Sequence, residues 1–375
     1  MWWDALTQSL AVLASQCSLK KIRRIAFDGT SATVLLCNRD GTPLTPALMY
    51  NDRRARQQAG RIAEVAPANS AALSASSSLA KALWLLQQVP DTDSIRIQHQ
   101  ADWLSGRLTG DFSHSDYNNA LKLGFDAERL TWPTWLGALG ISQELLPRVV
   151  APGEVLATVH PDVAASLGLD PQTEIVGGTT DSVAAFLASG ASEPGDAVTS
   201  LGSTLVLKLL SDKPVFSAEH GIYSHRLGDR WLAGGASNTG GAVLKHYFTD
   251  NEISRLSEKL QPDRSTGLDY YPLVGRGERF PVNDPDLEPR IEPVPDEPVI
   301  FFQALLEGIA AIEQQGYKLL TELGAPELGR VYTTGGGSVN NAWTQMREQR
   351  LGVPILPPIS VDAAYGTALL ALGNP

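Results

Sequence analysis

The chain has 375 residues, 43% of them hydrophobic and 19% charged, which allows two cores of roughly a hundred residues or more and fits a soluble globular enzyme. Its formal net charge of -11, with the 30 Lys and Arg scattered, offers no electrostatic footprint for nucleic acid. Cys17 and Cys37 are too few for a disulfide framework or a cysteine metal site and suit a reducing cytoplasm; no stretch approaches the roughly 18 apolar residues of a membrane span, and Met1-Trp2-Trp3-Asp4 lacks the regions of a signal peptide.

Leu6, Leu10, Leu13 and Ala14 recur at helical spacing, so the chain opens on an amphipathic helix ending near Cys17-Ser18. Two adjacent tryptophans at its start need something to pack against, which points to an element upstream. Ile22 to Phe27 reads as a buried strand reaching Asp28-Gly29-Thr30-Ser31. Thr33 to Cys37 and Ala47 to Tyr50, separated by the turn Asn38-Arg39-Asp40-Gly41, read as a hairpin or meander. The pattern from 55 to 130 is mostly helical, with Lys81 to Leu86 an amphipathic core segment and Ala101-Asp102-Trp103-Leu104 starting another helix. A short strand around Val149 and a helix near Pro161 to Leu167 follow. The run Glu174-Ile175-Val176 then leads into Gly177-Gly178-Thr179-Thr180-Asp181, a helix over Ser182 to Ala188, and small residues from Gly190 to Gly195 that suit a hinge. Strands are expected at 197–209 and 229–235 and helices near 240–248 and 252–260. Residues 262–298, rich in Pro, Asp and Arg, read as a long surface excursion. A helix over 300–323, a strand over 329–334, a Gly-rich turn, a helix over 341–351 and an Ala-rich helix from Val361 complete the chain. No tandem repeat is evident, and the whole reads as α/β with two lobes.

Three turns carry chemistry. Gly177 to Asp181 and Ser200-Leu201-Gly202-Ser203-Thr204 each follow an apolar run, so each caps a strand. Glycines there let backbone N–H groups approach phosphate oxygens, and Ser or Thr hydroxyls add uncharged donors. A carboxylate beside them, Asp181, can take the proton of an attacking alcohol; the alternative is an Asp that caps the helix beginning at Ser182. The third turn, Gly335-Gly336-Gly337-Ser338, lies between a strand and a helix N-terminus, an arrangement suited to a nucleotide. Asn340 and Trp343 stand one helical turn apart. Asn340 can meet adenine or ribose with Trp343 alongside; Asn340 as an N-cap and Trp343 as core is the other reading, and the two are compatible. No P-loop motif occurs, and the six histidines show no ligand spacing, so no metal ligand is assigned.

In this order, GGTTDSVAAF, SLGST, TTGGGSVNNAWTQMREQRLGVPI and DAAYGTALLAL resemble the FGGY family of carbohydrate kinases. Tyr50-Asn51-Asp52-Arg53-Arg54 resembles the family's W-N-D-x-R segment, Ser78 to Gln88 its first signature, and Ser115 to Ala120 its sugar-domain stretch. FDGTSATVLLCNRDGTPL, DYNNALKLGFD and STGLDYYP are most similar to the plant and cyanobacterial D-ribulose kinase branch, related to xylulose kinases. The resemblance implies the two-lobed actin-like ATPase (ribonuclease H-like) fold. Residues 1–189 with 362–375 form a sugar-binding lobe, residues 190–361 a nucleotide-binding lobe, and an interdomain cleft lies between. It implies a cytoplasmic monomer or homodimer that transfers phosphate from ATP, with Mg²⁺, to a pentulose such as D-ribulose or D-xylulose. Asp181 is then the catalytic base, and Ser31, Asn51 and Asp52 contact sugar together with it. Gly202, Ser203 and Thr204 cradle phosphates, and Gly336, Gly337, Asn340 and Trp343 hold adenosine. Asp52 and Arg53 alternatively form an ion pair. Small-molecule sugar and ATP are the expected partners. The chain departs from the family in lacking a first hairpin with D-x-G-T, for which Asp28-Gly29-Thr30 does not substitute, because a helix precedes it and YNDRR follows at the distance of a later strand. A catalytically inert binding protein of the same fold is the alternative that this departure favours.

Overall fold

In the computed structural model, which describes residues 1–89 and 95–373, the chain divides into two units. Unit 1 gathers residues 1–188, 226–228 and 362–375; unit 2 gathers 189–225 and 229–361. Unit 1 runs through α1 (Trp2–Ala14), β1 (Arg24–Ile25), β2 (Asp28–Gly29), β3 (Val34–Cys37), α2 (Arg56–Ala63), α3 (Ser78–Leu86), β4 (Arg96–His99), α4 (Gln100–Thr109), β5 (His114–Asp116), α5 (Tyr117–Ala120), β6 (Arg148–Val150), β7 (Val155–Thr158), α6 (Pro161–Leu167), β8 (Glu174–Val176), β9 (Thr179–Thr180) and α7 (Asp181–Ser189). Unit 2 follows with β10 (Asp196–Leu201), β11 (Leu205–Ser211), β12 (Tyr223–Leu227), β13 (Arg230–Ala236), α8 (Gly241–Tyr247), α9 (Asp250–Ser257), α10 (Pro298–Glu322), β14 (Arg330–Thr334), α11 (Asn341–Leu351) and β15 (Ile355–Leu356). The last helix, α12 (Ala363–Leu372), returns to unit 1.

Local chemistry sets several of these boundaries. The Ser77 hydroxyl accepts from the Ala80 N–H and starts α3, while Thr249 and Glu252 form a reciprocal capping box on α9. Pro161 opens α6 and Gly168, at φ 74°, closes it.

Among the described residues, unit 1 distributes its strands among four small sheets, ordered β1-β8-β7, β2-β9, β3-β4 and β5-β6. Two apolar clusters fill it. One gathers Val34, Leu36, Leu79 and Ile97, the other Leu10, Phe27, Trp103, Leu108 and Ile175. Unit 2 is built on one six-stranded sheet, β12-β13-β11-β10-β14-β15, covered by α10, whose Phe302, Leu305, Leu306 and Ile309 are fully buried. Thr199 of β10, Thr333 of β14, Glu313 and Tyr317 of α10 and Arg347 of α11 make a buried polar staple through this core. Arg347 Nε and Nη2 donate to the two Glu313 oxygens at 2.6 and 2.7 Å, and its Nη1 donates to Thr333 Oγ1 at 3.0 Å. Thr199 donates to Glu313 at 2.6 Å.

Four sequence expectations need correction. Ile22 to Phe27 is not a buried strand throughout: regular pairing covers Arg24 and Ile25 alone, at a sheet edge, with Arg24 exposed and Ile25 half-buried. The hairpin from Val34 is not closed by Ala47 to Tyr50. β3 ladders with the distant β4, and Leu48 reaches it through a single bridge to Val34. Residues 55–130 therefore contain β4 and β5, whose polar Gln98, His99, Ser115 and Asp116 masked a strand pattern yet are buried. Finally, 262–298 is not wholly a surface excursion. Tyr270, Leu273 and Phe280 enter the unit 2 core, and the buried Glu278 carboxylate accepts from the Asn238 and Arg279 N–H groups and from the Ser237 and Tyr271 hydroxyls.

Candidate active site

In unit 1, β2 and β9 run parallel in the register Asp28 to Thr179 and Gly29 to Thr180. Two neighbouring parallel strands thus end together, one continuing into the turn 30–33 and the other into Asp181. Carboxyl ends of parallel strands are where α/β folds place ligands. Gly178 permits this pairing, because a Cβ there would lie 2.2 Å from the Phe27 carbonyl oxygen. In the turn, the Thr33 N–H donates to the Thr30 carbonyl at 3.0 Å and Ala32 takes φ 66°, a conformation that a side chain disfavours. Ser31 sits half-buried in it. Asp181 is also half-buried, begins α7, and its Oδ1 accepts from the Ser182 N–H at 2.7 Å, so it occupies the helix start as well as the strand end.

Behind β9 stands Asp116, buried at the start of α5. It accepts from the backbone N–H groups of Asn118 and Asn119 at 2.8 and 3.0 Å and from Asn119 Nδ2 at 2.6 Å. The two amides brace β9 in turn: Asn118 Nδ2 donates to Thr179 Oγ1 at 3.0 Å, and Asn119 Nδ2 donates to the Thr179 carbonyl at 3.1 Å. Burial pushes the Asp116 carboxyl up to about 7, and the neighbouring Asp102 carboxylate adds to the rise. Local motif reading did not single out these residues as a support for Asp181; only the fold brings the Ser115 to Ala120 stretch against β9.

Asn51 and Asp52 belong to a different constellation of unit 1. Asp52 pairs with Arg54, not with Arg53 as the sequence suggested, accepting from Arg54 Nε at 2.9 Å and from its backbone N–H at 3.0 Å. The Arg54 guanidinium also lies over the Trp84 ring at 5.0 Å. The Arg54 hydrogen bond holds the Asp52 carboxyl below its ordinary value. Lys81, buried in α3, donates to the Met49 carbonyl at 2.8 Å, and burial lowers its ammonium pKa to about 8 against the opposing pull of Asp52. Asn51 is exposed.

In unit 2, Ser200 of β10 pairs with Thr334 of β14 in parallel, so the turns after these strands emerge side by side. Gly335 has φ 84°, and a Cβ there would lie 2.7 Å from the Leu201 carbonyl group. Gly240, at φ 137°, brings the start of α8 against Ser203 and Thr204, where the Gly241 and Ala242 N–H groups donate to the Gly202 and Ser203 carbonyls. Around these turns opens a cavity of about 540 Å³, within the range of small-molecule sites. Gly202, Ser203, Gly336, Gly337, Asn340 and Trp343 all line it; Thr204, next in the first turn, is not part of its wall. Lys245, Asp250, Ile253, Ser254 and Ser257 complete one side from α8 and α9. Nothing in the local sequence marked them, beyond the capping box that starts α9.

At the third turn the structure shows the cap and core roles, at the edge of the cavity. Asn340 caps α11, its Oδ1 accepting from the Trp343 N–H at 3.0 Å, and its Nδ2 donates to Ser257 Oγ at 3.0 Å. Trp343 is only 2% exposed and donates through Nε1 to the Leu306 carbonyl at 3.1 Å, so it is core that also borders the cavity. Among the described residues no group of three or more His, Cys, Asp or Glu is gathered to hold a metal ion, and no helix is long and apolar enough to cross a membrane.

Comparison with known proteins agrees with this arrangement. The family model for the FGGY carbohydrate kinase N-terminal domain matches residues 1–188, and the model for the C-terminal domain matches residues 197–373. The chain belongs to the FGGY family of carbohydrate kinases. It is thus a phosphotransferase acting on sugar hydroxyls. It is 24% identical over 401 residues to the gluconokinase of Bacillus subtilis and 24% identical over 392 residues to that organism's xylulose kinase; each match covers 99% of this chain and 78% of the relative. Among solved structures, a xylulose kinase from Brucella ovis superposes with a TM-score of 0.87 at 24% identity, covering 98% of this chain and 78% of that one. Plasmodium falciparum glycerol kinase with ADP gives 0.86 at 21% identity, covering 99% and 79%. The FGGY chain therefore has the two-domain actin-like ATPase fold expected from its motifs.

Proposed function

We propose that this FGGY kinase phosphorylates a pentulose such as D-ribulose or D-xylulose, with unit 1 holding the sugar and unit 2 holding ATP. The observation that carries the reading is the joint ending of β2 and β9, which sets Asp181 beside the turn containing Ser31. Asp181 accepts the proton of the attacking hydroxyl as its oxygen bonds to the γ-phosphorus and the bond to ADP breaks. Ser31 contacts the sugar, with Asn51 and Asp52 as further contacts. Gly202, Ser203 and Thr204 offer donors to the phosphates, while Gly336, Gly337, Asn340 and Trp343 border the adenosine. Mg²⁺ accompanies ATP as part of the substrate, held chiefly by phosphate oxygens and water. The Asp116-Asn118-Asn119 brace keeps the Asp181 strand in place.

ATP consumption with D-ribulose, D-xylulose, glycerol and D-gluconate as acceptors tests the substrate. Pentulose-dependent turnover is expected, and a preference for D-gluconate, the substrate named for one relative, would redirect the reading to an aldonate. Asp181→Asn should lower sugar-dependent turnover by about 10²–10⁴-fold with ATP affinity unchanged. Near-normal turnover in that variant would remove Asp181 from the role of base. ATP binding with no turnover on any acceptor would favour an inert binding member of the family.

A further inference from the structure

The turn that carries Ser31 is held by a side chain of α4. Gln100, half-buried at the first position of that helix, accepts through Oε1 from the Thr30 backbone N–H and from the Thr30 hydroxyl, both at 3.1 Å. Both contacts come from donors, so the carbonyl end of the Gln100 amide faces the turn. The Thr30 hydroxyl has one proton and gives it to Gln100; the fully buried Thr33 hydroxyl, 2.5 Å away, therefore donates to Thr30 Oγ1. Thr33, Thr30 and Gln100 thus make a polar clasp on the turn. Its base on α4 is fixed as well. The Asp102 carboxylate accepts from the His99 N–H at 3.2 Å and caps the helix start, and β2 lies directly against it: a Cβ on Gly29 would come 3.0 Å from the Ala101 nitrogen and 3.3 Å from Gln100 Cβ.

The clasp answers a local problem. Ala32, buried at φ 66°, is held in a conformation that a side chain disfavours, so the turn left to itself relaxes toward negative φ. Its own backbone supplies the bond from the Thr33 N–H to the Thr30 carbonyl, and Gln100 supplies the anchor outside the turn. Ser31 lies between the anchored Thr30 and the reversed Ala32. The Asp181 strand is held separately, by Asn118 and Asn119 on Thr179. Loosening Thr30 therefore leaves Asp181 in place.

We propose that Gln100 is a positioning residue for the sugar: it acts through Thr30 to hold Ser31 where a sugar oxygen meets it, and the buried Thr33 hydroxyl completes the clasp. The inference rests on the reading of the Ser31 turn as a sugar contact; it depends neither on the sugar being a pentulose nor on Asp181 being the base. Loss of the clasp frees the Ser31 turn and weakens acceptor binding, while the glycine turns of unit 2 keep their own supports.

Steady-state kinetics on variants of the full chain test it, using the best acceptor among D-ribulose, D-xylulose, glycerol and D-gluconate, with acceptor affinity measured by calorimetry alongside. Gln100→Leu removes the oxygen that Thr30 donates to, and Thr33→Val removes the hydroxyl behind it at nearly constant shape. Gln100→Glu keeps an oxygen facing Thr30 and changes only the Nε2 end, which donates to nothing among the described residues. Gln100→Leu should raise acceptor KM by about tenfold or more with ATP KM unchanged, because two hydrogen bonds are lost. Thr33→Val should raise it by about threefold, and Gln100→Glu should return it to within about threefold of wild type. An unchanged acceptor KM in Gln100→Leu would overturn the proposal, as would equal rises in acceptor and ATP KM, the mark of a general loss of structure. Where Gln100→Leu does not fold, the acceptor KM of Thr33→Val decides in the same way. A rise in Gln100→Glu as large as in Gln100→Leu, at unchanged melting temperature, would make Nε2 the acting end and overturn the clasp. Near-normal turnover in Asp181→Asn alongside the Gln100→Leu rise would remove the base and support the clasp; lost turnover in Asp181→Asn with no Gln100→Leu rise would do the opposite. A wild-type chain that neither turns over nor binds any of the four acceptors would overturn both.

Discussion

The two units solve the same problem, holding a turn at the end of a parallel strand, with different materials. Unit 2 hangs both glycine turns on neighbouring strands of one continuous sheet, and the buried Arg347 behind them has a full carboxylate partner in Glu313. Unit 1 carries Asp181 on a two-residue strand paired on one side by β2 and braced by the side-chain amides of Asn118 and Asn119. Two of its buried charges meet neutral groups: Lys81 donates to the Met49 carbonyl, and Asp116 accepts from three N–H groups of Asn118 and Asn119. A paired charge in a continuous sheet gives a rigid platform. Lys81 and Asp116, whose pKa values burial shifts toward neutrality, make a support whose stability follows pH.

The largest expected effect tests the platform. Arg347→Ala leaves Glu313 buried without its partner, at a cost of about 3–5 kcal/mol in denaturant unfolding. A loss below about 1 kcal/mol would show that the pair adds little rigidity. A smaller effect sharpens the turn geometry. Gly335→Ala puts a methyl group 2.7 Å from the Leu201 carbonyl group at a positive φ, so the two turns must separate. The strain is about 1–3 kcal/mol, and ATP binding measured by calorimetry should weaken correspondingly. Unchanged affinity would mean that nucleotide binding does not use the spacing of the turns.

A further set of effects is in pH dependence, resolved by hydrogen exchange in each unit. The folded-state carboxyl of Asp116 is raised from 3.8 to about 7, so between these values the folded state holds the proton that the unfolded chain has lost. Unit 1 should lose stability as pH rises through that window, and Asp116→Asn should remove the slope. Lys81 is lowered from 10.5 to about 8, so the unfolded chain binds more protons between those values. Stability should rise with pH there, and Lys81→Met should flatten the rise. Equal slopes in unit 2 amides would erase the contrast between the units.

Some of this was legible in the chain itself. Gly-rich turns after apolar runs, the Pro161 and Gly168 boundaries of α6 and the Asn340 cap of α11 are local features, decided within a few residues by φ preferences and hydrogen-bonding reach. The partner of β3 lies some sixty residues away in β4, and the polar Gln98 and His99 gave no strand period to read. Trp343 illustrates the other limit. Its spacing from Asn340 fitted a ligand contact, but burial and its hydrogen bond to Leu306 make Trp343→Ala a cavity in the core, expected to cost about 3–5 kcal/mol in stability as well as any loss of nucleotide binding.

By itself the sequence determined the family, the two-lobed α/β class and the residues at each turn, because glycine placement, capping side chains and ordered motifs are properties of short stretches. Tertiary structure alone decided what stands behind those turns: Asn118 and Asn119 against Thr179, Arg347 on Glu313, and α9 along the cavity. Each of these is a contact between segments far apart in the chain, and only the folded backbone fixes which segments become neighbours.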